Sequence, residues 1–383
     1  MPKIKIAYLI DTIESPTCGT EKQLLLLIKA LNQYNSIFEP YLCCLRSSEW
    51  LENEFDLCPL HVIGIESFKN PVSYYRILRF SHFLKRGGFN IVQTFFRDAN
   101  IVGILCARFA GIKVIISSIR SQGYWHTNGF ELFITKILNR LVTHFIVNSE
   151  STKVWAREVG HIPKEKIQVI YNGIDIKPYR EVSKKTIENY RESFDINDHS
   201  PAIGIVANLR PVKGLDIFLM AAKLVKKEVP ASRFIIVGDG EERDRLKRLS
   251  NELGLEDSVR FLGKREDVVN IVNALDIGVL SSYSESLSNS VIEYLAAGLP
   301  VVCTNAGGCD ELVEAGVNGF LVPKGDYQTM AKSLLRIMMD KDLASDMARK
   351  NRQKAEDVFS NTTFLKLYRK FYQEVFKDRP SID

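Results

Sequence analysis

A chain of 383 residues, 45% hydrophobic and 25% charged, is too long for one ordinary domain and long enough for two, each with a real core. Its formal net charge of +5 is uneven: residues 1–180 carry 22 Lys and Arg against 15 Asp and Glu, and the remainder carries 29 against 31. No apolar run reaches the roughly 20 residues of a membrane helix, since the best, 101–119, is broken by Arg108 and Lys113.

In chain order, strand patterns fall at 3–10, 38–45, 60–64, 89–94, 112–117, 143–148 and 167–171, with helical patterns at 20–34, 72–86, 98–110, 129–141 and 149–159 between them. A polar stretch from Asp175 to Ser200 follows and reads as a linker, taken as 176–200. The alternation then restarts: strands at 202–208, 232–237, 258–262, 275–281, 300–304 and 320–322, helices at 214–228, 241–253, 265–273 and 289–297, and a short helix from Asp310. Residues 326–358 read as helices, and an aromatic-rich helix closes the pattern at 362–376. Such alternation predicts an α/β protein of two doubly wound parallel sheets, with domains at 1–175 and 201–358 and a helix within 359–383 expected to return to the first domain.

The start Met1-Pro-Lys-Ile-Lys-Ile runs into a strand without a signal-peptide core, so a cytoplasmic location is expected. The seven cysteines contain no Cys-x-x-Cys and the six histidines no metal spacing, so the cysteines read as core filler and no metal site is expected. The basic first half suits an anionic partner, such as a phospholipid surface or a phosphate-carrying acceptor, and equally suits lysines scattered over a solvated surface.

Ligands of open parallel sheets bind beyond the carboxyl ends of the strands, which directs attention to the residues just after each strand. After 202–208 come Arg210 and Lys213, two cations able to neutralise a diphosphate or simply to decorate a helix start. Gly238-Asp-Gly240 follows the next strand, a turn where backbone can approach a nucleotide or merely enter a helix. Glu285 lies in the loop after 275–281 and has no capping duty, whereas Ser290-x-x-Glu293 also fits a capping box. The backbone amides around Ser288, Asn289 and Ser290 at a helix start can hold phosphate oxygens. Asn305-Ala-Gly307-Gly308 again places glycines on the same edge of the sheet.

Taken together, Arg210 and Lys213, Glu285-x7-Glu293, Ala297-Gly298-Leu-Pro300, Gly307-Gly308-x-x-Glu311, Val169-Ile-Tyr-Asn172-Gly173-Ile-Asp175 and Cys18-Gly19-Thr-Glu21 resemble the retaining glycosyltransferases of family 4. The resemblance spans essentially the whole chain. It implies the GT-B architecture, two Rossmann-like domains facing a central cleft, with the nucleoside diphosphate sugar on the second domain and the acceptor on the first. By that resemblance Arg210 and Lys213 stabilise the departing diphosphate with the amides of Ser288 to Ser290, Glu293 binds ribose, and Glu285 holds the transferred sugar. Gly19 lets a loop close over the phosphates, Lys264 and Arg265 hold the nucleobase, and Asn172 and Gly238 join the substrate-binding set. The expected reaction is metal-independent transfer of a hexose-type unit, with UDP as the expected nucleotide, to a saccharide or lipid-linked acceptor in surface polysaccharide or glycoconjugate assembly. No cofactor, metal or nucleic-acid partner is implied, and peripheral contact with an anionic inner membrane face is compatible with it. A UDP-sugar epimerase of the same fold and a catalytically inactive sugar-nucleotide-binding protein are the alternatives.

The chain departs from the family where many members carry histidines. It has Gln93-Thr-Phe-Phe-Arg97 after the fourth strand and Ser117-Ser-Ile-Arg120-Ser-Gln122 after the fifth, so that Arg120 stands in the place of the active-site histidine. Arg120 is therefore expected either to meet a negative group of the substrates or to form a structural salt bridge. Residues 72–86, with Arg76, Arg79, Lys85 and Arg86 among Tyr74, Tyr75, Ile77, Leu78, Phe80 and Phe83, fit a crossover helix packed on the sheet or a basic helix resting on a membrane. Asp340-Lys-Asp342, the sole Asp-x-Asp, is expected to be surface charge.

Overall fold

The computed structural model describes residues 3–17, 19–33, 37–121, 129–197 and 199–377; Cys18 and Gln122, named above, lie outside the described residues. The chain divides into two compact units, one made of residues 1–173 and 361–383, the other of 174–360.

The first unit holds strands β1 (Ile4–Ile10), β2 (Phe38–Cys44), β3 (Leu60–Val62), β4 (Ile91–Phe95), β5 (Val114–Ile119), β6 (His144–Val147) and β7 (Ile167–Val169) in the order β3-β2-β1-β4-β5-β6-β7, all parallel. Along β1, Ile4, Ile6, Tyr8 and Ile10 belong to one apolar core, while Ala7 and Leu9 belong to another. This two-residue alternation with both faces apolar is what a sheet covered by helices on each side requires. The helix Asn361–Lys377 completes the first of these cores with Phe364, Leu365, Tyr368, Phe371, Tyr372 and Val375, a helical stripe along a single face. It comes so close that a Cβ on Gly173 would stand 2.6 Å from the Phe364 ring. The buried Gln23 side chain clamps the same glycine, accepting from its N–H at 2.8 Å and donating to its carbonyl at 3.0 Å.

The second unit holds β8 (Ala202–Val206), β9 (Arg233–Val237), β10 (Val259–Gly263), β11 (Ile277–Leu280), β12 (Val301–Thr304) and β13 (Gly319–Val322) in the order β10-β9-β8-β11-β12-β13, again all parallel. Strand order reverses direction between β1 and β4 in the first sheet and between β8 and β11 in the second. These are the switch points at which open parallel sheets leave a crevice.

Residues 176–200, expected as a linker, instead carry the helices Lys177–Arg180 and Lys184–Ser193 within the second unit. Lys184–Ser193 has no buried residue and so no apolar stripe to betray it. It is fastened by its Ser183 cap and by Arg191, which donates to the Ala274 carbonyl at 2.9 Å and pairs with Asp276 at 3.2 Å. A short helix at Glu49–Asn53, capped by Ser48, was also absent from the sequence pattern. Among the described residues no helix is long and apolar enough to cross a membrane.

Candidate active site

In the second unit, the switch point brings together the loops after β8 and β11. Gly214 adopts φ 59°, and a Cβ there would lie 2.4 Å from the Ser281 carbonyl oxygen, so only glycine allows the two loops to touch. Tyr283 N–H donates to the Val212 carbonyl at 2.8 Å, and the Ser281 hydroxyl donates to the Lys213 carbonyl at 2.9 Å. This stitching delivers Lys213 Nζ to 2.6 Å from Glu285 Oε1, an ion pair whose carboxylate is only 10% exposed. Ser282 Oγ donates to the same oxygen at 2.7 Å. Two of the residues singled out from sequence are thus bonded to each other, and Ser282, which sequence reasoning missed, orients the carboxylate.

The loop carrying Glu285 is fixed from its other side. Gly307 has φ 56°, and a Cβ there would fall 1.7 Å from the Glu285 carbonyl oxygen. Gly308 N–H donates to the Ser286 carbonyl at 3.1 Å, and Thr304 Oγ1 donates to the Ser282 carbonyl at 2.6 Å. The glycines after β12 therefore admit a neighbouring loop of the chain itself.

The helix Asn289–Ala297 rises from this loop. Its N-cap is Ser288, whose hydroxyl accepts from Val291 N–H and lies 3.0 Å from Ser290 Oγ. Because the cap is Ser288 and not Ser290, Glu293 stands in the second turn, and the capping box that its spacing allowed is not formed. Glu293 is instead buried, beside Tyr179. Burial first, and the Glu293 carboxylate second, push the Tyr179 phenol well above its ordinary value. Tyr294, the next residue, seats the helix on the sheet by accepting from Val206 N–H at 2.8 Å, over Gly278, where a Cβ would strike its ring.

Arg210 is exposed at the start of the single turn Pro211–Lys213. Gly238 has φ 129° and donates to the Gly263 carbonyl at 2.8 Å; a Cβ on it would lie 1.9 Å from the Ala207 carbonyl oxygen. Lys264 is exposed, while Arg265 forks onto Asp267 at 2.8 and 2.6 Å, with Tyr190 donating to the same carboxylate. The guanidinium, followed by the Tyr190 hydroxyl, holds Asp267 down at about 2, against the upward push of partial burial. Arg265 thus has a partner already, and Tyr190 and Asp267 were not anticipated. Asp340, first of the Asp-x-Asp, caps the helix Lys341–Lys354 by accepting from Leu343 N–H at 2.9 Å.

The first unit's edge is built differently. Gly19 is exposed and begins the helix Gly19–Gln33. Arg120, after β5, donates from Nη1 to Asn172 Oδ1 and from Nη2 to Tyr368 Oη at 3.0 Å. Around it lies a buried polar chain: Tyr8 donates to Tyr372 at 3.1 Å, Tyr372 to Gln93, and Gln93 to Ser118 at 2.8 Å. No carboxylate pairs with Arg120 among the described residues, and its buried Nε has no acceptor. The salt-bridge expectation is thereby replaced by neutral oxygens, one of them the side-chain oxygen of Asn172.

At the switch point of this sheet stands Asp11, another residue missed from sequence. Its carboxylate accepts from Ala99 N–H at 2.8 Å across the gap between β1 and β4. Burial, reinforced by Asp98 and Glu21 and opposed by the Ala99 amide and Arg46, raises it to about 6. Phe96, between β4 and the following helix, is held at φ 66° and ψ 172°, a region costing a non-glycine residue about 1–3 kcal/mol.

Two family models cover most of the chain. The one described as Glycosyltransferase Family 4 matches residues 17–177, and the one described as Glycosyl transferases group 1 matches 186–354. The UDP-Gal:alpha-D-GlcNAc-diphosphoundecaprenol alpha-1,3-galactosyltransferase of Escherichia coli is 28% identical over 291 residues, 73% of this chain and 72% of that enzyme. The N-acetyl-alpha-D-glucosaminyl L-malate synthase of Bacillus anthracis is 28% identical over 216 residues, 56% of each chain, so this second likeness spans little more than half of the relative. In fold, the chain is similar to Anabaena HepE, solved in complex with UDP, at a TM-score of 0.84 and 24% identity over 97% of this chain and 100% of that one. With two parallel-sheet α/β units of GT-B type and both family models matched in order, the chain belongs to family 4 of the glycosyltransferases, the group 1 glycosyl transferases.

Proposed function

We propose that the protein is a retaining, metal-independent glycosyltransferase that moves a hexose-type unit from a UDP-sugar to a saccharide or lipid-linked acceptor. The observation that carries this reading is the Lys213–Glu285 pair at the switch point of the second sheet, next to the Ser288-capped helix start. A cation, a carboxylate and oriented amides share one sheet edge, as a nucleotide sugar needs.

In this reading the acceptor hydroxyl attacks the anomeric carbon from the face the diphosphate leaves. The bond from that carbon to the phosphate oxygen breaks as the bond to the acceptor oxygen forms, and the acceptor proton passes to the departing phosphate. Arg210 and Lys213 stabilise the developing negative charge, with the amides of Ser288, Asn289 and Ser290, so charge stabilisation and alignment supply most of the rate. Glu285 keeps Lys213 in place and offers its second oxygen to a sugar hydroxyl. Glu293 takes the ribose hydroxyls, and Gly238 with the backbone of Lys264 and Arg265 takes the base. In the first unit, Gly19 lets backbone approach a phosphate, and Arg120, held by Asn172, receives an anionic group of the substrates.

The lipid-linked acceptor follows the printed activity of the Escherichia coli relative, which acts on a diphosphoundecaprenol-linked sugar. Work on such an acceptor belongs at the cytoplasmic face of a membrane, in surface polysaccharide or glycoconjugate assembly. The test is a panel of nucleotide sugars ranked by the rise in Tm each produces, followed by product analysis with the best donor and saccharide acceptors. A glycosylated product of unchanged anomeric configuration is expected; an epimerised nucleotide sugar or unchanged ligand would overturn the reading.

A further inference from the structure

The helix Pro71–Gly87 is anchored on one side only. Phe80 and Leu84 are buried in the core of the first unit, Phe83 stacks on His61 at 4.0 Å, and Ser81 donates to the Cys106 carbonyl at 3.3 Å. Its ends are closed by the Asn70 cap and by Gly88 in the left-handed conformation. The opposite side is where a crossover helix normally shows mixed polar residues. Here Tyr74 and Tyr75 are each 61% exposed and Leu78 is 68% exposed. At 100° per residue these three and Arg79, His82, Lys85 and Arg86 fall on the same side, all of them exposed. The helix carries no acidic residue at all. The crossover helix Leu215–Glu228 of the second unit is a control within the molecule, because its fully exposed positions are Lys223, Lys227 and Glu228.

Tyrosine and leucine beside cations, with no carboxylate, is the composition of a surface that sits in a lipid headgroup layer. The rings and the leucine enter the boundary, and the basic groups meet lipid phosphates. Arg79 reinforces this by lying over the Tyr75 ring, 5.9 Å from its centre, where the aromatic face can accompany a partly desolvated cation. Charge decides against an apolar protein partner, since a second copy of this face would bring like charges together.

We infer that the exposed face of Pro71–Gly87 is the membrane-docking surface of the protein, with an anionic phospholipid bilayer as its occupant. Tyr74, Tyr75 and Leu78 insert, and Arg79, Lys85 and Arg86 bind headgroups. The inference deepens the proposed function, because it names the surface by which the enzyme would reach a lipid-linked acceptor.

The test uses the full chain with phosphatidylcholine vesicles made with or without phosphatidylglycerol, read by co-sedimentation, and two triple variants. Y74S/Y75S/L78S removes the apolar contact and R79Q/K85Q/R86Q removes the charge; all six side chains are exposed. Wild-type protein is expected on the phosphatidylglycerol vesicles, with binding falling as salt rises. Each removed cation should weaken it about fivefold, and the apolar variant should weaken it about tenfold or more. Absence of wild-type binding, equal binding to both vesicle types, or variants that bind like wild type would overturn the inference. So would self-association in solution that the apolar variant abolishes. A rise in Tm with UDP is measured in parallel on all three proteins. If the vesicle pattern holds and no protein responds to UDP, the docking face stands and the donor reading fails; if UDP stabilises all three and none binds vesicles, the reverse is true.

Discussion

The carboxyl edges of the two sheets place cations in opposite ways. On the second sheet Lys213 is matched to Glu285 and Arg265 to Asp267, so these two positive charges each have a counter-charge a few residues or one loop away. On the first sheet Arg120 is held by an amide oxygen and a phenol, and the switch-point carboxylate, Asp11, is held by a backbone amide. A matched pair fixes geometry, and a cation gripped only by neutral oxygens keeps its charge available to an anion. The two edges thus differ in what holds a cation: carboxylates fix Lys213 and Arg265 on one, and neutral oxygens hold Arg120 on the other.

The sharpest way to break this contrast is to neutralise each cation. Lys213→Met should lower kcat with the best donor by about 10²–10³. The double variant Lys213→Met/Glu285→Gln should be little worse than Lys213→Met alone, because the pair acts as a unit. Fully additive losses in steady-state kinetics would show that the two act separately. Arg120→Ala and Arg120→His should each lower kcat/KM by about 10–100-fold while leaving donor-free Tm within a few degrees. Near wild-type rates for both would remove Arg120 from the chemistry.

Smaller effects sharpen the contrast in stability. Asp11 ionises at about 6 in the fold against an ordinary 3.8. Its protonated form is therefore favoured by folding, and that contribution is complete below pH 3.8 and lost as pH rises through about 6. Asp11→Asn keeps the acceptor for Ala99 and should be more stable than wild type by about 1–2 kcal/mol at pH 8, after discounting for partial exposure. The gap should close toward pH 4, and urea unfolding at the two pH values measures it. Arg265→Ala, at an exposed pair, should cost only about 0.2–1 kcal/mol at pH 7 by the same method.

Much of this was legible in the amino-acid order because it was written locally. The helix Asn289–Ala297, with Gly298 at φ 79° as its stop, was predicted to the residue, since apolar periodicity and a terminating glycine are nearest-neighbour signals. The arrangement around it was not. Tyr179 reaches Glu293 from a stretch read as linker, because its helices are short or wholly polar on their exposed side. Ser290-x-x-Glu293 looked like a cap because the true cap lies two residues earlier, a register that only the turn geometry decides. Arg120 was placed at the right strand end, but its partners Asn172 and Tyr368 are 52 and 248 residues away, a distance no periodicity bridges.

The helix Asn361–Lys377 belongs to the first unit yet follows the whole of the second in the chain. As a ribosome makes the protein, the second unit can bury its core while the first still waits for Phe364, Tyr368 and Tyr372. The unit begun first in synthesis is therefore the one completed last, because its core lacks Phe364, Tyr368 and Tyr372 until translation has passed residue 377. A chaperone that shields that unfinished core would act on this protein late, and loss of the closing helix would send the chain toward aggregation although every residue of the second unit were intact.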